Sequence, residues 1–225
     1  MQPGRAIELV GPAGSGKTTL VRALEGAFGG ITVGAPCGGR DHVRLGLRHA
    51  ARLLPAWLRS RDRWLDEKEL RSLNYVVGWA EALERAPRAR LTVFDHGPIF
   101  RLARLRAFGP RLVESPAFVA WAAEAVQRWA RLLDAVVWLD APDAVLAARI
   151  DGRDEAHRMK GEAAPDTVHF LARYRTTYEA LLAELRAAGG PEPIRVDTSQ
   201  EAPEAIAERL VAQLGLVKEF AARSA

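Results

Sequence analysis

The chain has 225 residues, 48% hydrophobic and 27% charged, which suits an ordinary α/β domain rather than a disordered or fibrous chain. A single cysteine, Cys37, excludes an internal disulfide framework, and the lack of an apolar run near 18 residues or of a charged-then-apolar leader argues against a membrane span and predicts a cytoplasmic location. The formal net charge is only +4, the basic residues are mostly scattered arginines, and no recognition module accompanies them, so nucleic acid is not the expected partner.

The first predicted elements are a strand and a helix on either side of a glycine-rich loop. The apolar run Ala6–Val10 predicts a buried strand. Residues 11–18 read G-P-A-G-S-G-K-T and fit the pattern G-x-x-x-x-G-K-[ST]. Apolar residues then recur at helical spacing: Leu20, Val21, Leu24 and Phe28. A chance glycine-rich turn could occur without a preceding strand and a following helix. Because both flanking elements are predicted here, we expect the loop to form a nucleoside triphosphate site.

Each part of the loop has a chemical role in that prediction. The glycines allow a tight turn in which backbone N–H groups surround phosphate oxygens, and the helix N-terminus adds a positive partial charge. Lys17 is expected to reach the β- and γ-phosphates, and the Thr18 hydroxyl is expected to bind Mg²⁺. The expected cofactors are therefore ATP and Mg²⁺, with the nucleotide bound by Gly11, Ala13, Gly14, Ser15, Gly16, Lys17, Thr18 and Thr19.

A short strand and two helical segments are predicted next. Gly29–Gly30 ends the first helix, Ile31–Val33 predicts a second strand, and residues 35–39 predict a loop. Residues 41–63 are basic and helix-prone, with an interruption expected at Pro55. A helix over 66–85, closed by Pro87, is predicted by apolar residues at helical spacing: Leu70, Leu73, Val77, Ala80 and Leu83.

Two further strands each end in an aspartate. Leu91–Phe94 predicts a buried strand that ends at Asp95–His96, and residues 135–139 predict another that ends at Asp140. The basic segment 101–111 predicts an irregular helix or a loop. Ser115–Pro116 is typical of a helix start, and the helix that follows Asp140 is expected to reach residue 150.

The remaining pattern completes an alternation of strands and helices. Residues 151–165 predict a solvated loop, a long helix ends at Gly189–Gly190, residues 193–196 predict a last strand, and a closing helix follows. This alternation predicts one α/β domain over residues 1–217 and a tail over 218–225, with a mostly parallel five-stranded sheet covered by helices on both faces. Functional groups are then expected at the carboxyl ends of the strands: the glycine-rich loop, residues 37–40, Asp95–His96, Asp140 and Asp197.

Missing motifs exclude several classes of protein that carry this kind of loop. The sequence has no N-K-x-D segment of a guanine-nucleotide switch and no L-S-G-G-Q-like signature of a transport ATPase. It also has no strand ending in Asp-Glu, as helicase-type motors do. Small kinases remain, in which an arginine-bearing lid closes over the phosphates.

Beyond the loop, the sequence resembles the thymidylate kinase and deoxynucleoside kinase branch of the nucleoside and nucleotide kinases, from Ala6 to about Leu214. Residues 136–143, V-V-W-L-D-A-P-D, are similar to the branch's apolar strand and L-x-x-P-E turn, and Arg149–Ile150 to the arginine-isoleucine pair that ends its next helix. Arg149 and Arg153 are similar to the start of an R-x-x-x-R lid. Three other features fit the branch: Asp95-His96-Gly97 in place of its D-R-x or E-R-S motif, Arg158 as a third lid arginine, and the aromatic helix with Tyr174 and Tyr178.

The resemblance implies a P-loop NTPase three-layer sandwich and a kinase with a lid over about 149–165. Its acceptor-side region would span about 37–85 and 96–111, and residues 197–201 would lie beside the adenine. Asp95 would bind the water shell of Mg²⁺ or accept a hydroxyl proton. The expected catalytic residues are Lys17, Asp95, Arg149, Arg153 and Arg158, and the expected metal-binding residues are Thr18 and Asp95.

Two departures leave the phosphoryl acceptor open. His96 stands where the branch has an arginine, and residues 35–40, A-P-C-G-G-R, lack the acid of the E-P-G-G-T-like loop. A nucleoside or nucleoside monophosphate is the leading expectation, with a sugar, an antibiotic or a lipid headgroup as alternatives. A non-kinase, ATP-dependent regulatory module also stays open, as does a homodimer. The segments that could wall the acceptor pocket carry Trp64, Tyr75, Trp79 and Phe100, although each is more commonly a core residue.

Overall fold

Five strands form one sheet in this computed structural model, which describes residues 4–28, 31–60, 62–85, 91–152 and 158–216. The strands are β1 (Arg5–Val10), β2 (Ile31–Val33), β3 (Leu91–Phe94), β4 (Ala135–Asp140) and β5 (Ile194–Asp197). Their order is β2-β3-β1-β4-β5, and every neighbouring pair is parallel. The predicted sheet is confirmed, with β1 at its centre. The breaks predicted at 29–30 and Pro87, the domain end at 217 and the tail 218–225 lie outside the described residues.

Helices cover both faces of the sheet. They are α1 (Lys17–Phe28), α2 (Gly39–Ser60), α3 (Glu67–Arg85), α4 (Pro98–Phe108), α5 (Pro116–Leu132), α6 (Asp143–Asp151), α7 (Ala164–Ala187) and α8 (Pro203–Gln213), with a 3₁₀ helix over Arg111–Glu114. Side chains of β1 alternate between two apolar clusters. Ile7 and Leu9 pack with α1 and α8, whereas Ala6 and Val10 pack in the larger cluster that includes α3, α4, α5 and α7. Among the described residues, no helix is long and apolar enough to cross a membrane.

Two sequence predictions about helices were wrong. For the segment 101–111 an irregular helix or a loop was predicted, but its residues 101–108 belong to the regular helix α4, because Pro98 starts the helix and Leu102, Ala103 and Leu105 are buried. Helix α2 continues through Pro55 without interruption. Pro55 and Ala51 are both exposed, so the carbonyl of Ala51 that loses its intrahelical partner faces solvent, where water can hydrogen-bond to it.

Candidate functional site

The glycine-rich loop joins the carboxyl end of the central strand β1 to the first turn of α1. Gly11, Gly14 and Gly16 all have positive φ angles, of 148°, 83° and 87°. A Cβ added at Gly16 would meet no atom within 4 Å, so the backbone conformation, rather than packing, requires glycine there. A loop of this kind turns its N–H groups into an anion-binding concavity at the helix N-terminus.

Lys17 is the first residue of α1, and its side chain folds back over the loop. Its Nζ donates to the carbonyl oxygens of Gly11 and Pro12 at 2.8 and 2.9 Å and to Ser15 Oγ at 3.3 Å. The side chain is therefore largely buried, whereas the neighbouring Thr18 and Thr19 are exposed. The loop thus presents an ammonium group, two hydroxyl groups and a helix N-terminus at one edge of the sheet.

A cavity of about 680 Å³, called the nucleotide-side cavity here, lies next to the loop. Its lining residues are Gly14, Gly16, Thr19, Leu20, Arg149, Ile206 and residues 198–203. The volume falls within the range of small-molecule sites, roughly 300–1,000 Å³. The predicted adenine-side segment therefore does border the loop, through its residues 198–201.

Arg149 connects two walls of the nucleotide-side cavity, the glycine-rich loop and the turn between β5 and α8. Its Nη1 donates to Gly14 O at 3.3 Å and to Thr198 Oγ1 at 2.9 Å, and its Nη2 donates to Thr198 O at 2.9 Å. This geometry places the guanidinium beside the loop and the β5–α8 turn. A catalytic role for Arg149 stays a prediction.

Asp95 follows the last residue of β3, on the strand next to β1. Because Glu8 pairs with Phe94 in parallel register, Asp95 lies at the same edge of the sheet as the loop. Its Oδ2 is 3.3 Å from Nδ1 of His96. The hydrogen bond from His96 outweighs partial burial and lowers the pKa of Asp95, so the carboxylate is charged at neutral pH.

Glu8 is an acidic residue in the middle of the apolar strand β1, and it is fully buried. Its carboxylate accepts hydrogen bonds from the backbone N–H groups of Ile99 and Phe100 at 3.0 and 2.9 Å, in the first turn of α4. A Cβ on Gly97 would lie 2.5 Å from the Glu8 carboxyl carbon, so the turn between Asp95 and α4 requires glycine at that position. Glu8 therefore fixes the start of α4 and the turn that carries Asp95. Its position within an apolar run was the signal that sequence reasoning missed.

Glu8→Gln is expected to change how the free energy of unfolding depends on pH. Burial raises the pKa of Glu8 from 4.5 to about 8, so between these values the folded protein holds a proton that the unfolded chain releases. Stability contributed by that proton is present at low pH and is lost as pH rises toward 8. In wild type this adds a fall of up to about 1.4 kcal/mol per pH unit, which the variant should lack.

Urea unfolding between pH 5 and 9 measures this slope. Glu25→Gln, an exposed carboxylate on α1, controls for the loss of one acidic side chain. Equal slopes in Glu8→Gln and wild type would contradict the assignment of the proton to Glu8.

Arg101, also on α4, is a half-buried cation of this region. Its guanidinium carbon lies 4.3 Å from the ring centroid of Tyr75 and 4.8 Å from that of Trp79, both on α3. Its Nε is buried without a hydrogen-bond partner among the residues that the structure describes. Burial lowers the pKa of Arg101 to about 10. Tyr75 and Trp79 therefore hold this cation instead of forming an open stacking platform.

A second cavity of about 540 Å³, called the acceptor-side cleft here, lies between α3, α4 and α7. Its lining residues are Arg63, Asp66, Lys68, Glu69, Ser72, Phe100, Arg104, Leu105, Phe108, Arg158, Phe170 and Tyr174. The Phe100 ring lies 4.6 Å from the His96 ring, which links the cleft to the turn at Asp95. Residues of both predicted acceptor-side segments line the cleft. Trp64, one of the aromatic residues considered for its wall, is not among the lining residues and packs against Trp57, with 5.4 Å between the ring centroids.

The predicted lid arginines reach different places. Arg158 lies over the rings of Phe108 and Phe170, at 5.0 and 5.2 Å, and lines the acceptor-side cleft. Arg153 lies outside the described residues, so its predicted role stays a prediction. Both ends of the segment 151–165, predicted as a solvated loop, belong to helices, because α6 ends at Asp151 and α7 begins at Ala164. Its Met159 is buried.

Asp140, another acid at the end of a strand, has a structural partner. Arg175 of α7 donates to its carboxylate through Nε at 2.8 Å and Nη2 at 3.0 Å, and it also contacts Asp143. Asp140 Oδ1 further accepts the N–H of Ala141 at 2.8 Å. Sequence reasoning did not single out Arg175, because nothing in the spacing of residues 140 and 175 indicates their contact.

The loop and Asp95 offer the kind of oxygen ligands that Mg²⁺ takes. In the described part of the chain, no three His, Cys, Asp or Glu side chains come together as a metal site. Mg²⁺ usually keeps several waters and binds one or two protein oxygens together with substrate phosphates. The exposed Thr18 hydroxyl and the charged Asp95 carboxylate fit that requirement, and their metal-binding roles stay predictions.

Comparisons with known proteins identify the fold. A scan against models of protein families finds no match, and a search of the curated proteins finds none. Among solved structures, the deoxyadenosine kinase from M. mycoides with bound dCTP is 12% identical, with a TM-score of 0.53 over 92% of this chain and 97% of that chain. The YorR protein from Bacillus subtilis, in complex with phosphorylated GDP, is 16% identical, with a TM-score of 0.52 over 94% of this chain and 96% of that chain.

A shikimate kinase from Bacteroides thetaiotaomicron is 15% identical, with a TM-score of 0.52 over 94% of this chain and 99% of that chain. At these identities the likeness concerns the fold. It confirms the predicted α/β fold, the one found in P-loop nucleoside and nucleotide kinases.

Proposed function

We propose that this protein, which has the fold of small P-loop kinases, transfers the γ-phosphoryl group of ATP to a small molecule in a Mg²⁺-dependent reaction. We favour a nucleoside or a nucleoside monophosphate as the acceptor. The location that we propose for the protein is the cytoplasm. One observation carries the proposal. The glycine-rich loop with Lys17 and the charged Asp95 lie at the same edge of the sheet, with the nucleotide-side cavity on one side of the loop and the acceptor-side cleft linked to Asp95.

The loop and its helix are the part of the chain that binds ATP in this proposal. Backbone N–H groups of residues 11–16 and the N-terminus of α1 receive the phosphates, and the base enters the nucleotide-side cavity beside Arg149. Lys17 exchanges its contacts with the carbonyls of Gly11 and Pro12 for phosphate oxygens. Mg²⁺, held by Thr18 and Asp95, would neutralise charge on the phosphates.

Asp95 orients the acceptor rather than serving as a strong base. A carboxylate whose pKa is lowered takes up a proton poorly at neutral pH, and the best general bases have a pKa near the working pH. Phosphoryl transfer depends mainly on positioning and on electrostatic stabilisation, because its transition state is loose. Asp95 therefore accepts a hydrogen bond from the acceptor hydroxyl and holds it in line. The acceptor O–P bond forms as the bond between the γ-phosphorus and the leaving ADP oxygen breaks, and the hydroxyl proton, acidic only late in that process, passes to Asp95 and then to water.

ADP release measured across a panel of acceptors tests the proposal. The panel contains nucleosides, nucleoside monophosphates, sugars, aminoglycosides and a lipid headgroup, each with ATP and Mg²⁺. A kinase should show ADP production well above the basal rate with one of these compounds. Uniformly slow hydrolysis across the panel would contradict the proposal and favour an ATP-dependent regulatory module. A response to a sugar, an antibiotic or the headgroup would keep the kinase and change its acceptor.

A further inference from the structure

Cations in the acceptor-side cleft differ from arginines elsewhere on the same elements. Lys68 of α3, Arg104 of α4 and Arg158 of the turn before α7 line the cleft, and none has an ion pair within the described ranges. By contrast Arg106, two residues beyond Arg104, pairs with Glu184 at 2.6 Å. The cleft therefore holds positive charge from three separate elements.

The carboxylates of the cleft are occupied by other partners. Glu69 accepts two hydrogen bonds from Arg63, both at 2.7 Å, and one from the N–H of Asp66 at 2.8 Å. Asp66 in turn accepts the N–H of Glu69 at 2.8 Å, which completes a reciprocal cap at the start of α3. Arg63 thus neutralises Glu69, whereas Asp66 keeps its charge and makes no ion pair with Lys68, Arg104 or Arg158 in the described part of the chain. Four cations and two acids line the cleft, which leaves it a formal net charge of +2.

Arg101 adds half-buried positive charge one turn before Arg104. Two acids, Glu8 and Asp95, are close enough for their charge to raise the pKa of Arg101. Glu8 is mostly protonated at neutral pH, because its pKa is about 8, and Asp95 is hydrogen-bonded to His96. Lys68 and Arg158 are exposed and Arg104 is half-buried, so water stabilises part of their charge, whereas the Nε of Arg101 is buried without a hydrogen-bond partner among the described residues. An anion bound beside Arg104 would offset the repulsion between these neighbouring cations.

We propose that the phosphoryl acceptor is anionic and that the acceptor-side cleft binds its phosphate or carboxylate group through Arg104, assisted by Lys68 and Arg158. This inference rests on the proposed kinase function and narrows its acceptor. The guanidinium of Arg104 matches the planar geometry of a carboxylate or phosphate edge, and two further cations from other elements suit a doubly charged group. Nucleoside monophosphates, sugar phosphates and hydroxy acids share this chemistry, whereas nucleosides, free sugars and aminoglycosides do not.

Paired acceptors test the charge requirement directly. ADP release is compared for each nucleoside and its 5′-monophosphate, each sugar and its phosphate, and each alcohol and its hydroxy acid. The anionic member alone should raise turnover, and the responding pair separates phosphate from carboxylate. Arg104→Ala should raise the KM of that acceptor about tenfold or more with little change in the KM of ATP. Arg106→Ala, on the same helix but paired with Glu184, should leave both KM values unchanged.

Turnover of the neutral member as efficient as that of its anionic partner would overturn the proposal, and so would an unchanged acceptor KM in Arg104→Ala. A direct binding measurement separates this failure from failure of the kinase proposal. The Lys17→Ala variant, with its phosphate loop disabled, is titrated with inorganic phosphate by calorimetry. Binding that disappears in Lys17→Ala/Arg104→Ala supports the anion site even if no acceptor is phosphorylated. No difference between the two variants contradicts it.

An independent observation concerns the outer face of helix α2. Four large apolar side chains there are exposed: Val43 (66%), Leu47 (68%), Leu54 (42%) and Leu58 (65%). The opposite face of the helix packs on the body of the protein through Leu45, His49 and Leu53. We call Val43, Leu47, Leu54 and Leu58, together with Ala50 and Ala51 between them, the α2 stripe. At 100° per residue its members share one direction away from the core.

The large apolar residues of the α2 stripe have the same spacing whether they are counted from the N-terminal or the C-terminal end of the helix. Val43 and Leu58 lie equally far from the midpoint between Ala50 and Ala51, and so do Leu47 and Leu54. Two copies packed antiparallel about a two-fold axis at that midpoint would therefore pair Val43 with Leu58 and Leu47 with Leu54, twice each. Small alanines at the centre allow the helices to approach closely. This self-complementarity is what an isologous dimer interface requires.

Charges beside the α2 stripe are compatible with such pairing. Arg44 and Arg48 share Glu81, and Arg52 is bound to Glu124, so each arginine on its flank already contacts an acid within its own copy. We infer that a second copy of this chain docks on the α2 stripe.

Light scattering over a dilution series tests this inference. Wild type should be dimeric at micromolar concentration, and Leu47→Glu should shift the equilibrium toward monomer by at least about tenfold in dissociation constant, because each substitution places two charges in the apolar seam. Val119→Glu, at an exposed apolar residue on α5, should leave the dimer intact. A monomer at all concentrations, or a dimer insensitive to Leu47→Glu, would overturn the inference.

Discussion

Asp95→Asn is expected to lower kcat by about 10²–10⁴-fold while ATP affinity stays nearly unchanged. Asparagine keeps the size of the side chain at the end of β3 but removes the negative charge that His96 stabilises there. An amide is a weaker acceptor for the hydroxyl of the acceptor molecule and a poor ligand for Mg²⁺ waters. The loss should therefore fall on turnover rather than on ground-state binding of the nucleotide.

Single-turnover phosphoryl transfer and equilibrium ATP binding distinguish these two effects. Asp134→Asn provides a matched control, since Asp134 also belongs to the sheet region but lies at its opposite edge, where its Oδ2 accepts the N–H of Ala6 at 2.8 Å. Retention of wild-type turnover by Asp95→Asn would remove Asp95 from the mechanism. A lower unfolding midpoint combined with lost ATP binding would instead give Asp95 a structural role.

The sheet and the loop were predictable because local patterns determine them. Continuous apolar runs such as Leu91–Phe94 occur in strands buried on both faces, and the motif of residues 11–18 needs only its two flanking elements to be identified. Asp95 was found for the same reason, since it directly follows a recognisable strand. These predictions use chain neighbours and make no reference to distant contacts.

The contacts that organise the acceptor side depend on pairs far apart in sequence. Glu8 and Phe100 are 92 positions apart, so the cap that starts α4 as a regular helix could not be read from residues 101–111 alone. Arg149 was predicted as a lid residue from its neighbours, yet its guanidinium contacts Thr198, which is 49 positions away. The cations that line the acceptor-side cleft likewise stand out from the other arginines only once ion pairs such as Arg106–Glu184 are known.

Lys17→Met is expected to reduce ATP turnover by about a thousandfold or more and to weaken ATP binding. Methionine preserves most of the apolar stem, so the change mainly removes the ammonium group. In the structure this group binds the carbonyls of Gly11 and Pro12, which places it at the centre of the loop rather than at the surface. A cation at that place can contact the phosphates without moving in from solvent. Among the described residues that line the nucleotide-side cavity, Arg149 is the only lysine or arginine.

A second variant separates loss of phosphate contact from collapse of the loop. Lys17→Arg keeps a donor for the two carbonyls and the positive charge, so it should retain stability while its bulkier, forked group lowers turnover. Arg22→Ala, an exposed cation on the same helix, should leave turnover and ATP affinity at wild-type values. Calorimetric ATP binding and ADP production, each with an unfolding midpoint for the same sample, measure the outcome. Normal turnover in a folded Lys17→Met protein would contradict the assignment of the loop as the ATP site.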